Sequence, residues 1–365
     1  MKYVESDLVR IAKRENNTKR NYLVVDPLQG KHIPVQPSKA LNLFTNLADT
    51  FRDQYQNEKL LLVGFAETAT AIGAQVAITI GTKYIQTTRE PIPNVEYLFF
   101  SEEHSHATEQ KLVKDDIDSV ADEIDRIVFI EDEVTTGKTI LNIVNILDEK
   151  YDGKFKYAVA SLLNGMTSEH LEQYKSKGID LHYLVKTDHS RYAEKANEFA
   201  EDGCYCECLN KTDGDYTVIN IPNRMDTRRL VDSCEYKNSC DELWNGLKKE
   251  IGNIVNQKIL VVGTEEFMFP ALYVGEQLEK EENQVFCHST TRSPIAVSLE
   301  KDYPLHCRYE LKSLYDADRK TFIYDIGKYD RVFVITDSPE IEESQRTLIN
   351  ALRTQNKNIS LVRWC

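Results

Sequence analysis

The chain has 365 residues, 41% of them hydrophobic, with a formal net charge of −14. That length suffices for two or three domains with real cores. No apolar run approaches the roughly 18 residues of a spanning helix, and Met1 to Asp7 hold no apolar signal-peptide core, so a cytoplasmic protein without a membrane partner is expected. The acidic balance lacks the general basic footprint of a nucleic-acid binder, and it leaves any anionic substrate to local donors. Lys31, Arg89, Lys138, Arg292 and Arg319 are singled out for that reason.

Residues 1–20 are a polar, charged leader. A short strand over Asn21 to Pro27 leads into a Pro-bounded loop carrying Lys31 and His32. Ser38 then opens a helix that runs to Phe51. Lys59 to Gly64 is a buried strand, and Phe65-Ala66-Glu67-Thr68-Ala69-Thr70 is a small-residue loop before a helix over Ala71 to Ala77. The next strand starts at Lys83 and ends at Arg89 to Pro91, which brings Arg89 to the strand ends where open parallel sheets bind ligands. Tyr97 to Phe100 runs into a polar loop with His104 and His106. Ligand contact, exposed loop histidines and a His-x-His metal site all stand open for that pair.

The stretch with most chemistry is Ile127-Val128-Phe129-Ile130-Glu131-Asp132-Glu133-Val134-Thr135-Thr136-Gly137-Lys138-Thr139. Four apolar residues predict a strand, two acids stand at its end, and a Thr/Gly loop opens a helix over Ile140 to Leu147. Such a loop offers backbone N–H groups and the positive end of a helix dipole to a phosphate. Thr136 and Thr139 add hydroxyls, and Gly137 admits close backbone approach. Carboxylates accept hydrogen bonds from sugar hydroxyls. A ligand with vicinal hydroxyls at one end and a phosphate at the other, such as ribose 5-phosphate, suits both halves.

A strand over Tyr157 to Leu163, an Asn164-Gly165 turn, a helix over Ser168 to Lys177 and a strand over Leu181 to Val185 follow. Buried strands alternating with helices give an α/β class with a doubly wound parallel sheet. Residues 190–245 are polar and predict a connector with little structure, in which Arg228 and Arg229 form a solvated basic turn. Cys204-x-Cys206-x-Cys208, with Cys234 and Cys240, departs from paired C-x-x-C zinc spacing. The alternation is expected to serve one ligand cluster poorly, so reduced thiols are expected there.

The last third repeats the first in outline. Lys59 to Gly64 is echoed by Lys258 to Gly263, Thr87-Thr88-Arg89-Glu90-Pro91-Ile92 by Thr290-Thr291-Arg292-Ser293-Pro294-Ile295, and Asp125 to Asp132 by Asp330 to Asp337. The offsets are nearly constant, 199, 203 and 205, which predicts a duplicated fold. The copy has Pro339 to Glu343 where the first has Thr135 to Thr139, and acids there repel a phosphate. Arg292 and the hydroxyls beside it, Ser293 included, have the makings of an anion or carboxylate clamp.

The central stretch resembles the signature of type I phosphoribosyltransferases: four hydrophobic residues, two acids, then Thr-Gly-x-Thr. It lacks the two separated glycines of a Walker loop. With the Thr-Arg-Ser-Pro run of the copy, nearly the whole chain resembles the paired phosphoribosyltransferase and TRSP architecture found with bacterial tellurium-resistance and stress-response gene clusters. That resemblance implies residues 1–190 as a transferase domain with an N-terminal hood that Lys31 and His32 reach from, 191–245 as connector and 246–365 as TRSP domain. It implies transfer of ribose 5-phosphate from phosphoribosyl pyrophosphate to a small-molecule acceptor in the making of a nucleoside-like metabolite. A homodimer stands among the arrangements it allows. Glu131 and Asp132 would hold the ribose hydroxyls, and Thr135, Thr136, Gly137, Lys138 and Thr139 the 5-phosphate. Glu67, Thr68, Ala69 and Thr70 would meet pyrophosphate, with magnesium carried by pyrophosphate and ribose hydroxyls rather than by protein ligands. Arg89, His104, His106, Arg292 and Ser293 complete the expected binding set, the histidines on a lid.

Two departures matter. The pyrophosphate loop, which often carries Lys or Arg in this family, has Glu67. Thr135 stands where purine-type relatives carry an Asp base, which resembles the orotate branch and disfavours a purine acceptor. The rival readings are a non-enzymatic sensor of phosphoribosyl pyrophosphate or a nucleotide, and a phosphoribosyl pyrophosphate synthetase, the latter opposed by the lack of a basic ATP loop.

Overall fold

A computed structural model describes residues 2–15, 20–100, 110–208 and 216–365. The chain forms two compact units. The first comprises Met1–Glu5, Asn42–Asp188 and Met225–Asn238; the second comprises Ser6–Leu41, His189–Arg224 and Ser239–Cys365.

The first unit is built on a six-stranded sheet in the order Val231–Asp232, Lys83–Gln86, Leu60–Gly64, Arg126–Val134, Lys156–Asn164, Ile179–Lys186. All pairs are parallel except the antiparallel edge pair of Val231–Asp232 with Lys83–Gln86. Taken in chain order, the five parallel strands lie 2-1-3-4-5, the doubly wound order whose switch point falls between the first and third. Leu61, Leu62, Val63, Ile127, Val128, Phe129 and Ile130 are almost wholly buried, as strands covered on both faces require. Helix Thr70–Ile80 packs so tightly on the sheet that a Cβ at Gly64 or Gly73 would lie within 3 Å of Tyr84.

The second unit repeats this plan. Its five-stranded sheet runs Thr217–Ile221, Ile359–Trp364, Arg331–Thr336, Lys258–Gly263, Gln284–Ser289, parallel throughout. From Lys258 onward the chain order across it is again 2-1-3-4. The copying extends to single bonds. The Thr87 N–H donates to Gly64 O at 2.9 Å, and the Thr290 N–H to Gly263 O at 3.1 Å. Thr88 exchanges two backbone bonds with Lys111, and Thr291 does the same with Phe322. The duplicated fold expected from three short matches is therefore present, both units being doubly wound α/β sheets.

Three expectations change. Residues 6–41 count with the second unit, not with a hood on the first. The hairpin of Arg10–Lys13 with Tyr22–Val25 buries Ala12, Leu23 and Val25 in one apolar cluster with Ile295, Val297, Tyr303 and Leu305. Lys31 is buried in the second unit, its Nζ donating to Glu265 O at 2.7 Å and Thr290 O at 3.0 Å. Residues 190–245 are no loose connector either. They supply helix Tyr192–Glu198, three strands that join three different sheets, and most of the 19-residue helix Ser233–Ile251. Short polar strands give weak sequence signals because their partners are distant. Arg229 is not a solvated turn residue, since it grips Asp116 with two bonds of 2.7 Å, and Arg228 is buried beside Asp226.

Candidate functional site

The site of the first unit lies at the carboxyl ends of Leu60–Gly64 and Arg126–Val134, the two strands that flank the switch point. The ladder between them ends at Gly64 and Ile130, whereas Arg126–Val134 continues to pair with Lys156–Asn164 through Val134. The strand therefore runs four residues past the end of the apolar run, and Glu131, Asp132 and Glu133 are part of it, half-buried. The crevice opens where the neighbouring strand has stopped.

Thr135, Thr136 and Gly137 connect this strand to helix Lys138–Lys150. Gly137, at the N-cap with φ +71°, has no side chain to cap the helix, and of the first-turn donors the Lys138 N–H meets the Thr136 hydroxyl at 3.3 Å. The first-turn N–H groups and the helix dipole therefore face the loop, an arrangement that favours an anion. Lys138 is exposed at the first helical position, while Thr136 and Thr139 are half-buried. Beneath the loop, the Tyr174 hydroxyl donates to Gly137 O at 2.7 Å. Burial, reinforced by the charge of Glu131, pushes the Tyr174 phenol well above its ordinary range, so it remains a donor.

The other wall is Phe65 to Ala69, which leads into helix Thr70–Ile80. The Ala66–Glu67 peptide is cis. Two residues outside the loop fix this backbone. The Thr87 hydroxyl accepts from the Ala66 N–H at 2.8 Å and donates to Gln110 Oε1 at 2.7 Å, and Gln110 Nε2 returns to Ala66 O at 2.5 Å. Glu67, Thr70 and Ala69 are buried and Thr68 is half-buried. The structure thus brings Glu67, Thr68, Ala69 and Thr70 to one side of the switch point, and Glu131, Asp132 and Thr135 to Thr139 to the other. Arg89 is half-buried three residues beyond the Lys83–Gln86 strand. His104 and His106 lie outside the described residues, in the connection between Tyr97–Phe100 and Gln110–Val113.

Sequence reasoning missed Thr87, Gln110 and Tyr174. Thr87 carried a signal, since it begins the repeated Thr-Thr-Arg run. Tyr174 carried none, being 37 residues from Gly137. A surface cavity of about 640 Å³ lined by Arg52, Lys59, Lys83 and Glu123 sits at the opposite, amino-terminal ends of the strands and is not this site.

The matching position of the second unit is filled by its own side chains. Glu265, the counterpart of Ala66, donates its N–H to the Thr290 hydroxyl at 3.0 Å, just as Ala66 does to Thr87. Its carboxylate takes Arg292 Nε at 2.6 Å and an Arg319 nitrogen at 3.1 Å, and Arg292 also reaches Glu266 at 3.3 Å. Asp337 accepts from Tyr315 and Arg224, each at 2.7 Å. Arg292 grips carboxylates, but they are those of Glu265 and Glu266 rather than of a ligand. Ser293 lends its carbonyl to the Tyr324 hydroxyl at 2.8 Å.

A family model described as phosphoribosyl transferase matches residues 8–191, and a second, described as the TRSP domain C-terminal to it, matches residues 231–352. No curated protein matches the chain. Among solved structures, the adenine phosphoribosyltransferase from Rhodothermus marinus is 16% identical, covers 50% of this chain and 96% of its own, and has a TM-score of 0.36. That from Thermoanaerobacter pseudethanolicus gives 17%, 49%, 96% and 0.35. The enzyme from Giardia lamblia complexed with 9-deazaadenine gives 16%, 50%, 95% and 0.36.

Proposed function

Because the chain belongs to the phosphoribosyl transferase family, with a TRSP domain following the transferase domain, we propose that it transfers the ribose 5-phosphate unit of phosphoribosyl pyrophosphate to a small-molecule acceptor. The observation that carries this reading is the succession, on one side of the switch point, of the Glu131–Asp132 carboxylates and a glycine-bearing phosphate loop over a helix start. Thr136, Gly137 and Thr139 hold the 5-phosphate through backbone N–H groups and hydroxyls, and Lys138 adds positive charge. Glu131 and Asp132 orient the ribose through its two hydroxyls. The bond from the anomeric carbon to pyrophosphate breaks, positive charge grows on the sugar, and the two carboxylates stabilise it. The acceptor's nucleophilic atom bonds to that carbon and its proton passes to solvent, since Thr135 offers no base; this disfavours a purine acceptor. Most of the rate enhancement is therefore positioning and electrostatics.

The loop Glu67 to Thr70 meets the pyrophosphate through backbone donors and the hydroxyls of Thr68 and Thr70. The acidic crevice suits a magnesium-bound rather than a bare pyrophosphate, and magnesium supplies charge neutralisation of the leaving group when bound. Glu67, in place of the family's frequent basic residue, supports a second reading in which the protein binds phosphoribosyl pyrophosphate as a sensor without transferring it. One assay separates the two. The full chain is incubated with phosphoribosyl pyrophosphate, magnesium and candidate acceptors, and pyrophosphate release is measured beside ligand binding. Acceptor-dependent release supports transfer; tight binding with no release from any acceptor supports the sensor; absence of binding overturns both.

A further inference from the structure

We propose that Cys204, Cys206 and Cys307 form a three-thiolate site for a thiophilic divalent cation of the zinc type. Alternate residues of a strand share a face, so Cys204 and Cys206 stand together on strand Cys204–Glu207, contrary to the expectation that this spacing suits one cluster poorly. The third member comes from strand Cys307–Lys312, which pairs in parallel with Cys204 directly opposite Cys307. The Cys206 and Cys307 sulfurs are 101 residues apart in sequence, so no spacing rule could reveal the set.

The sulfur geometry matches a metal better than a disulfide. Cys204 Sγ lies 3.6 Å from Cys206 Sγ, and Cys206 Sγ 3.9 Å from Cys307 Sγ, with all three within 4.8 Å. A tetrahedral zinc with Zn–S of about 2.3 Å sets its sulfurs about 3.8 Å apart. A disulfide requires about 2.05 Å, and all three thiols are free. Access is graded along the face: Cys204 is exposed, Cys206 half-buried and Cys208 buried in the core. An ion can therefore enter from solvent while resting on a rigid floor. Arg308, which follows Cys307, projects to the opposite face, pairing with Glu15 at 2.8 Å and lying over the Tyr205 ring, so it does not repel the ion. Three protein ligands leave the fourth position to water or an exogenous group, the pattern of an open rather than a closed structural site.

The test uses the reduced full-length chain titrated with cadmium and with cobalt(II), followed by thiolate-to-metal charge-transfer absorption. One equivalent per chain is expected, with Cys204→Ser, Cys206→Ser and Cys307→Ser each lowering affinity roughly tenfold or more. Cys234→Ser and Cys365→Ser, exposed and outside the set, are expected to leave the titration unchanged. Cys204→Ser alters an exposed side chain and keeps the core intact, which circular dichroism checks. No charge-transfer band at one equivalent, or a band unaltered in Cys204→Ser and Cys307→Ser, overturns the proposal, as does isolation of the metal-free chain with a Cys204–Cys206 disulfide under reducing conditions.

Discussion

The Tyr174 hydroxyl sits directly beneath Gly137 and donates to its carbonyl at 2.7 Å. A Cβ at Gly137 would meet that hydroxyl oxygen at 2.2 Å. Gly137→Ala thus suffers twice, from the clash and from a backbone at φ +71°. The left-handed backbone alone costs about 1–2 kcal/mol. Denaturant unfolding should show at least that loss, and titration with phosphoribosyl pyrophosphate should show weakened binding. Tyr174→Phe should cost about 1 kcal/mol and weaken binding less than Gly137→Ala does.

The Thr87 hydroxyl both accepts from Ala66 and donates to Gln110. Thr87→Val keeps the shape and deletes both bonds, leaving a buried N–H without its acceptor. We expect a loss of about 1–3 kcal/mol and a rise in the dissociation constant for phosphoribosyl pyrophosphate, measured by thermal unfolding and calorimetry. Thr87→Ser should retain most of both. Equal behaviour of the two variants would remove the hydroxyl from the account.

At the amino-terminal ends of the strands, Arg126 joins Glu58 at 2.5 Å and Asp180 at 2.8 Å. Arg126, and after it Lys156, holds the Glu58 carboxyl down to about 2 against an ordinary 4.5. Because the folded value is the lower one, the contribution is fully present above about 4.5 and is lost as pH falls from there toward 2. Arg126→Met should move acid unfolding to higher pH and cost about 1–3 kcal/mol at neutral pH, less than a fully buried pair would, because Lys156 still holds Glu58 at 2.8 Å and Asp180 is partly exposed. Ligand affinity, set at the other end of the sheet, should stay unchanged.

Calorimetric titration should give one phosphoribosyl pyrophosphate per chain rather than two. In the second unit Glu265 already occupies Arg292 and Arg319. Glu265→Gln should lower the melting temperature, since breaking such a buried ion pair costs about 3–5 kcal/mol, without abolishing the single site. A stoichiometry of two in the unaltered protein would mean that this network opens to admit ligand.

If Asp132 holds the ribose as proposed, Asp132→Asn should weaken binding of phosphoribosyl pyrophosphate while leaving the fold intact, because the amide retains the shape but loses the charge. Unchanged affinity and pyrophosphate release would exclude Asp132 from the site.

Much of this was legible wherever the physics was local. Runs such as Ile127 to Ile130 announce a buried strand because both faces are covered, and Gly137 marks a turn because few other residues tolerate its backbone. The duplication could be read because strand ends repeat at a steady offset. What escaped depends on partners far along the chain. Lys31 looked like a cation reaching an anionic substrate from a hood until carbonyls more than two hundred residues away claimed it. Glu131 to Glu133 looked like the end of a strand because acids disfavour burial, but the neighbouring strand Lys156–Asn164 extends the ladder beneath them. The strand Cys204–Glu207 lacks any apolar rhythm that could declare it, and Thr217–Ile221, though Ile219 and Ile221 alternate, is a short run amid polar residues.

The two sheets share a layout, yet their outermost strands arrive by different routes. In the first unit Ile179–Lys186 follows its neighbour Lys156–Asn164 almost at once along the chain. In the second, Thr217–Ile221 pairs with Ile359–Trp364, so that Asn220 and Arg363 meet across 143 residues. Closing so long a loop carries a larger entropic cost, and contacts of long sequence separation slow folding. Apart from the two-residue edge strand Val231–Asp232, which closes on Lys83–Gln86 from far along the chain, the first sheet can zip up nearly in the order it is written, whereas the second must hold an early five-residue strand in reserve until its last one arrives. Refolding of the duplicated halves should therefore be asynchronous, with the candidate crevice of the first unit assembled before its counterpart in the second.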